Sequence, residues 1–348
     1  TGDYLDIGTG IDLGTGDFSI SAWVKLPEAT SINLLSKFES AGDRWFIRTQ
    51  GADKIQFLAN VGSSTIMDIS YSGDALSEDE WHHIVVTCDR SESDGLKIYV
   101  DNSVGTAGAG STTDIDNDGN LFFGRQNSSY SVMTLDEVAI WNVVLDEEAV
   151  AVIYNNGSPT NLTFDSSDYD NSSALQGYWR MGNGLFDDKA NGVVHDQVNP
   201  GLGSELVSNG NFDNLGVGDF TASEGSLAQV SNELILTTTT TVDNAINYNI
   251  TLSTGSTYEA TLSFNEAGSS TNKWALHCGS YLNGTNNREV QAYGIHTVTF
   301  VATDANLSIQ TYGAGAIATY SFDNVSVKKL NGNPGITSGN PTFSSDAP

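Results

Sequence analysis

Two aspartates set the first chemical question this chain poses. In Thr134–Trp141, TLDEVAIW, alternation along a half-buried strand puts Asp136 on one face with Val138 and Ile140. In FDNVSV, Asp323 shares a face with Val325 and Val327 in the same way. A carboxylate at the head of an apolar face needs backbone N–H groups or a cation as partner. Glu137 is expected on the face opposite Asp136, so the two acids cannot act on one bond. A retaining glycosidase needs two carboxylates about 5 Å apart, and the nearest acid cluster, Glu78-Asp79-Glu80, falls in a polar turn without that spacing. No Gly-x-Ser-x-Gly elbow, His-Glu-x-x-His pair or phosphate-binding loop occurs. Asp114–Gly119, DIDNDG, matches half of a calcium loop, but its twelfth position is Arg125 rather than Glu, so a turn is expected. His82 and His83 head an apolar strand and read as structural. The chain is expected not to be an enzyme.

Sugar binding asks for less: an aromatic platform and a few planar polar partners. In Lys273–Tyr281, His277 and Tyr281 fall opposite Trp274, Leu276 and Cys278; in Asn306–Tyr312, Gln310 and Tyr312 fall opposite Leu307 and Ile309. His277, Tyr281, Gln310 and Tyr312 are therefore one candidate ligand face. Trp45 and Tyr130, beside loops, are candidates in the N-terminal half. Trp23, Trp81, Trp141 and Trp274 read as packing residues.

The 43 acids outnumber 14 bases, a net charge of −29, which repels nucleic acid and anionic membrane and favours cations. No apolar run is long enough to span a bilayer, so membrane insertion is not expected. Cys88 and Cys278 are too few and too separated for a disulfide framework and read as buried thiols. The 36 glycines suit many short strands and turns. Asp17–Leu26 alternates cleanly, and strands follow at Leu34–Phe38, Trp45–Thr49, Lys54–Asn60, Ser64–Tyr71, Trp81–Cys88, Leu96–Asp101 and Leu121–Gly124. One short helix is expected after Asp146, which suits an N-cap, with Asn155-Asn156-Gly157 as its stop. Leu175–Gly182 reads as a strand closing this first sandwich, and Gly192–Gly203 as a connection. A second series of strands begins at Glu205–Asp213 and ends at Phe322–Leu330. The fold class is all-β: two β-sandwich jelly rolls in tandem, spanning 1–200 and 201–331, with 332–348 as an extended tail.

DFSISAWVK, DEWHHIVVT, GLKIYVDN, LFFGR and LDEVAIWN…LDEEAVAVIYNNG occur in the order of the laminin-G-like, concanavalin-A-like jelly-roll family, which the chain resembles from Asp3 to Gly157. The glycosidases of that fold carry a Glu-x-Asp-x-x-Glu strand, which is missing here. The opening NGNFD and closing FDNVSV resemble the galactose-binding-like modules, including calcium-containing carbohydrate-binding modules. These resemblances imply structural calcium, held by Asp323 with Asp213 in the second domain and by Asp136 with Asp17 in the first. The order of segments also looks like virion appendage proteins of marine-type bacteriophages. The implied protein is a non-enzymatic glycan-binding adhesin, outside the cell or on a virion surface, working as a homo-oligomer or within a larger assembly. Two other readings stay open: a structural spacer without ligand, and the binding part of a secreted polysaccharide-degrading system.

Overall fold

A computed structural model describes residues 2–348 except 28–30, 40–41, 51–53, 215, 224, 239–243, 267–272, 283–292, 313–318 and 340, and the backbone alone of 244, 266, 273, 281 and 312. The chain divides into two compact units, Thr1–Gly201 with Asn331–Pro348, and Leu202–Leu330. Both are antiparallel β-sandwiches, and the one α-helix among the described residues is Glu147–Tyr154.

In the first unit an eight-stranded sheet runs in the order Val193–Val194, Gly335–Ser338, Tyr4–Gly8, Leu121–Phe123, Asn33–Phe38, Arg44–Gln50, Lys54–Val61, Ser64–Ser70. The other sheet has six strands: Leu175–Trp179, Thr134–Trp141, Phe18–Lys25, Trp81–Cys88, Leu96–Val100, Ser103–Val104. Phe18, Ile20 and Val24 from one sheet and Trp45, Ile47, Phe57 and Phe123 from the other belong to the buried core. A second apolar layer lies on the outer side of the six-stranded sheet. There Val85, Ala139 and Trp141 pack with Ala149, Val150 and Ile153 of the helix and with Leu162 and Tyr169 of the 160–175 segment. The Asp146 side chain caps the helix by accepting from the Ala149 N–H at 2.8 Å, and Asn155 at φ 45° ends it. Trp141 Nε1 donates to the Tyr169 hydroxyl at 3.1 Å, which donates to the Leu162 carbonyl at 2.8 Å. The polar 158–174 stretch thus supplies buried cover through Leu162 and Tyr169.

The stretch 332–348 is not simply an extended tail. Its Gly335–Ser338 segment is a strand between Tyr4–Gly8 and Val193–Val194, the latter expected to be part of a connection. Four residues are too few to show a period of two, which is why the sequence hides this strand. Gly335 is needed there, because a Cβ would come within 2.7 Å of the Leu5 side chain. The second sandwich is therefore an insertion between Gly201 and Asn331, after which the chain returns to complete the first.

The second unit pairs Ser226–Val230, Glu233–Thr237, Thr319–Leu330, Thr257–Glu266 and Gly294–Val301, with Leu202–Glu205 also on Thr319–Leu330. Its other sheet is Phe220–Ala222, Asn244–Tyr248, Ser308–Tyr312, Lys273–Cys278, Ser280–Tyr281. Phe212, Leu262, Phe264, Trp274, Ile309 and Phe322 are among the core residues. Cys88 and Cys278 are free and buried, and burial pushes the Cys88 thiol up to about 12.

One local device recurs and overturns the expected direction of both aspartates. Leu135-Asp136-Glu137-Val138 and Phe322-Asp323-Asn324-Val325 each contain a β-bulge, with register shifts at Asp136/Ala139 and opposite Asp323–Ser326. Glu137 and Asn324 take left-handed φ values of 49° and 50°. One extra residue resets the alternation, so Val138 and Val325 lie in the cores while the aspartates do not share their faces. Asp136 sits across from Trp23, and Asp323 across from Ser263. In each case Oδ1 accepts the N–H of the left-handed residue, at 2.8 Å for Glu137 and 2.6 Å for Asn324.

Candidate functional site

In the eight-stranded sheet, Leu5 points to the core while Tyr4 and Asp6 point to the outer face, and the register carries that outer row from Asp6 through Phe122 and Ser36 to Phe46. After Leu121–Phe123, Gly124 turns the chain at φ 81° into a short hairpin of Arg125–Gln126 with Ser129–Tyr130, closed by Asn127 at φ 54°. Ser36 Oγ donates to the Arg125 carbonyl, and Ser131 Oγ bridges to both backbone groups of Asn33 at 2.8 Å. The hairpin is thereby fastened over the sheet.

These connections gather an aromatic cluster around one cation. Tyr4 lies 5.5 Å from Phe122 and 5.9 Å from Tyr130, and Phe38 lies 5.6 Å from Phe122, all between ring centroids. The Arg125 guanidinium sits 4.6 Å from the centroids of both Tyr4 and Phe122 and 5.8 Å from Tyr130. Such stacking contributes roughly 0.5–2 kcal/mol per contact depending on exposure. Tyr130 is 47% exposed, so part of its ring meets solvent. Burial raises the pKa of Asp6, against the opposing hydrogen bonds from Gly8 and Asn120 and the charge of Arg125. A cleft of about 420 Å³ adjoins the cluster, lined by Asp3, Tyr4, Met133, Asp136, Met181 and Phe343 among others. The arrangement can stack a flat apolar face and hydrogen-bond its rim, which is what a shallow saccharide site needs.

Of the sequence candidates, Tyr130 is in this cluster. Trp45 is not: it is fully buried in the core beside Ile47, and its neighbours Phe46 and Arg48 face outward instead. Tyr4, Phe122 and Arg125 were missed; the signal was the parity of LFFGR, in which Phe122 opposes Leu121 and Phe123. In the second unit the register puts Tyr281 and Ser308 opposite His277, Gln310 opposite Ala275 and Tyr312 opposite Lys273, so the four candidates occupy one face. His277 and Gln310 are half-buried there, and the side chains of Tyr281 and Tyr312 lie outside the described residues.

The metal candidates divide. Asp17 precedes the strand position opposite Trp141, whereas Asp136 pairs with Trp23, six residues further along. At about 3.3 Å per residue they stand roughly 20 Å apart and cannot share an ion. Asp17 instead accepts the Arg90 N–H at 2.9 Å. Asp136 is pushed up to about 7, by burial first and by the neighbouring Glu137 next. Glu137 is itself buried and held by the Tyr178 hydroxyl and by Arg180 Nε at 3.0 Å, so the two acids interact rather than facing apart. Asp213 and Asp323 are closer to the expectation. Gly210 O accepts the Val325 N–H at 2.8 Å, bringing the two segments together. Asp323 is raised by burial, then by Glu233 and Asp213. Among the described residues no group of three or more His, Cys, Asp or Glu is arranged to hold a metal.

One chain of groups has the order of a hydrolase relay: Ser77 Oγ is 3.0 Å from His82 Nε2, and His82 Nδ1 is 2.7 Å from Asp101 Oδ2. The Ser77 hydroxyl, however, donates to Glu80 at 2.5 Å, and His82 Nε2 accepts the Ser77 N–H at 3.1 Å. Asp101 Oδ1 accepts the His83 N–H at 2.8 Å. The network ties the 76–80 turn to its strand, and the serine proton is directed away from the base.

No curated protein matches the sequence. Among solved structures, a native heptameric SAP-like pentraxin from Limulus polyphemus is 14% identical over 44% of this chain and 76% of its own, with a TM-score of 0.36. Domain 4 of the GH43 extracellular arabinanase AbnA from Geobacillus stearothermophilus, in complex with arabinotriose, is 14% identical over 40% and 66%, at 0.33. The CBM40 of Ruminococcus gnavus IT-sialidase, bound to α2,3-sialyllactose, is 13% identical over 44% and 94%, at 0.35. These scores are too low to carry residue correspondences. Residues 1–151 match the family model described as the concanavalin A-like lectin/glucanases superfamily, a match that covers the first sandwich from its start into the helix and less than half of the chain.

Proposed function

We propose that the chain is a non-enzymatic carbohydrate-binding protein whose first sandwich takes a saccharide on the Tyr4–Phe122–Tyr130 cluster. The observation that carries this reading is the half-exposed Tyr130 ring beside a guanidinium held among Tyr4 and Phe122 on the outer side of the eight-stranded sheet. The sequence match to a lectin-like superfamily supports it. A sugar ring lies on Tyr130, and Arg125 donates from its edge. A single shallow site binds weakly, so many copies in an assembly supply the strength. This suits an adhesive role outside the cell or on a virion surface, such as a phage appendage contacting surface glycans. The second unit, resembling galactose-binding-like modules, contributes a further face around His277 and Gln310. Calcium belongs to the proposal only at Asp213 and Asp323, where a cation would relieve two mutually repelling carboxylates. The Asp136–Asp17 pair does not fit one.

Affinity electrophoresis through gels containing individual polysaccharides tests the reading. Retardation by at least one polysaccharide, lost in Tyr130→Ala, is expected. Unretarded migration in every gel supports the alternative of a spacer without ligand.

A further inference from the structure

Resting on the reading of the Tyr4–Phe122–Tyr130 cluster as a saccharide site, we propose that its ligand is an anionic saccharide, recognised through a carboxylate or sulfate group by Arg125. In a chain with 43 acids for 14 bases, a surface arginine has many carboxylates to choose from. Arg125 takes none: no described carboxylate lies within 4 Å of its guanidinium, a state it shares with Arg44, Arg48 and Arg90, whereas Lys25, Lys37, Lys97 and Arg180 each have one. Asp6, which feels the Arg125 charge, has its hydrogen bonds from other groups. Both its oxygens accept from Asn120 Nδ2, at 2.9 and 3.1 Å, and Oδ1 also accepts the Gly8 N–H at 2.9 Å.

The guanidinium is also fixed in direction. Its Nε donates to the Asn127 carbonyl at 2.7 Å, and its Cζ lies 4.6 Å from the Tyr4 and Phe122 ring centroids. The two Nη atoms are left to form the parallel pair of hydrogen bonds that a planar carboxylate or a sulfate accepts. Tyr130 is placed to stack the apolar face of the ring carrying that group. Arg48 faces the same side from Arg44–Gln50, two strands from Leu121–Phe123 and so roughly 10 Å away. Its guanidinium lies over Phe46 at 4.7 Å, and its Nε donates to Gln56 at 2.7 Å. A chain with acidic groups on successive sugars would meet both. The net charge of −29 does not forbid this, because exposed charges beyond about 8 Å are largely screened at physiological ionic strength.

The test uses the full chain with three immobilised probes: polygalacturonate, its carboxyl-reduced neutral counterpart, and chondroitin sulfate. Binding is measured for the parent, Arg125→Gln, Arg125→Lys and Tyr130→Ala, with circular dichroism melting to verify that each is folded. The expected result is binding to at least one acidic polymer, weaker binding to the neutral one, and a loss of about 10- to 100-fold in Arg125→Gln, the value of a charge-assisted pair. Arg125→Lys should recover part of it, and polygalacturonate against chondroitin sulfate separates carboxylate from sulfate recognition. Equal affinity of parent and Arg125→Gln for the acidic polymer, or equal binding of the neutral one, overturns the anionic assignment while leaving the saccharide site intact. Unchanged binding in Tyr130→Ala, or none by the parent to any of the three probes, removes the assignment together with the site it rests on.

Discussion

Replacing Asp136 by Asn should stabilise the first sandwich at high pH and leave it nearly unchanged at low pH. Asp136 is 7% exposed and titrates at about 7 in the fold, against about 3.9 in an unfolded chain. Because the folded state holds the proton more tightly, its stability is fully present below the unfolded value and is lost as pH rises toward 7. About three pK units at 1.36 kcal/mol each give a loss of about 4 kcal/mol at pH 8. Asparagine keeps an oxygen to accept the Glu137 N–H but never ionises, so it escapes this loss. Buried His83 runs the other way: its pKa is lowered to about 3 by desolvation, so its contribution is present above about 6.5 and is lost as pH falls. That slope is common to both proteins and cancels in their difference. Urea unfolding followed by tryptophan fluorescence at pH 4 and pH 8 measures the difference directly. A gain of equal size at both pH values, or a loss at pH 8, would refute the argument.

Other substitutions probe separate links. Lys37 is fully buried, with Nζ donating to the carbonyls of Ile11 at 2.6 Å and Thr9 at 3.2 Å and paired with Asp12. Lys37→Ala strands those acceptors and should cost about 3–5 kcal/mol in urea unfolding. At the second bulge, Asn324→Ile forces a β-branched residue to φ 50° and should cost about 1–3 kcal/mol, whereas Asn324→Gly should be nearly neutral. Calcium at millimolar concentration should raise the melting temperature of the second unit, and Asp323→Asn should abolish that rise; a melting curve indifferent to calcium and chelator removes the ion from the account.

The sequence made the sandwiches legible because their strands alternate over five to eight residues, as in FSISAWVK. It failed wherever one residue broke the alternation. Asp136 and Asp323 were expected inward by a parity that Glu137 and Asn324 reset, and no residue type announces a left-handed glutamate inside a strand. Trp45 failed for the opposite reason: its strand alternates faithfully, and parity with Ile47 sends it to the core despite the loop beside it. Tyr130 was legible as an aromatic in a loop. Its partners were not, because Tyr4, Phe122 and Arg125 come together only through the pairing of Tyr4–Gly8 with Leu121–Phe123, more than a hundred residues apart. Gly335–Ser338 was hidden by the second sandwich inserted ahead of it.

The central claim, that the first sandwich binds saccharide through Tyr130, is tested most directly by a glycan array probed with the parent protein and with Tyr130→Ala, each multivalently displayed. The account predicts a defined set of glycans bound by the parent and lost, at equal display, by the variant. A parent that binds nothing at high valency, or a variant that retains the same set, would contradict it.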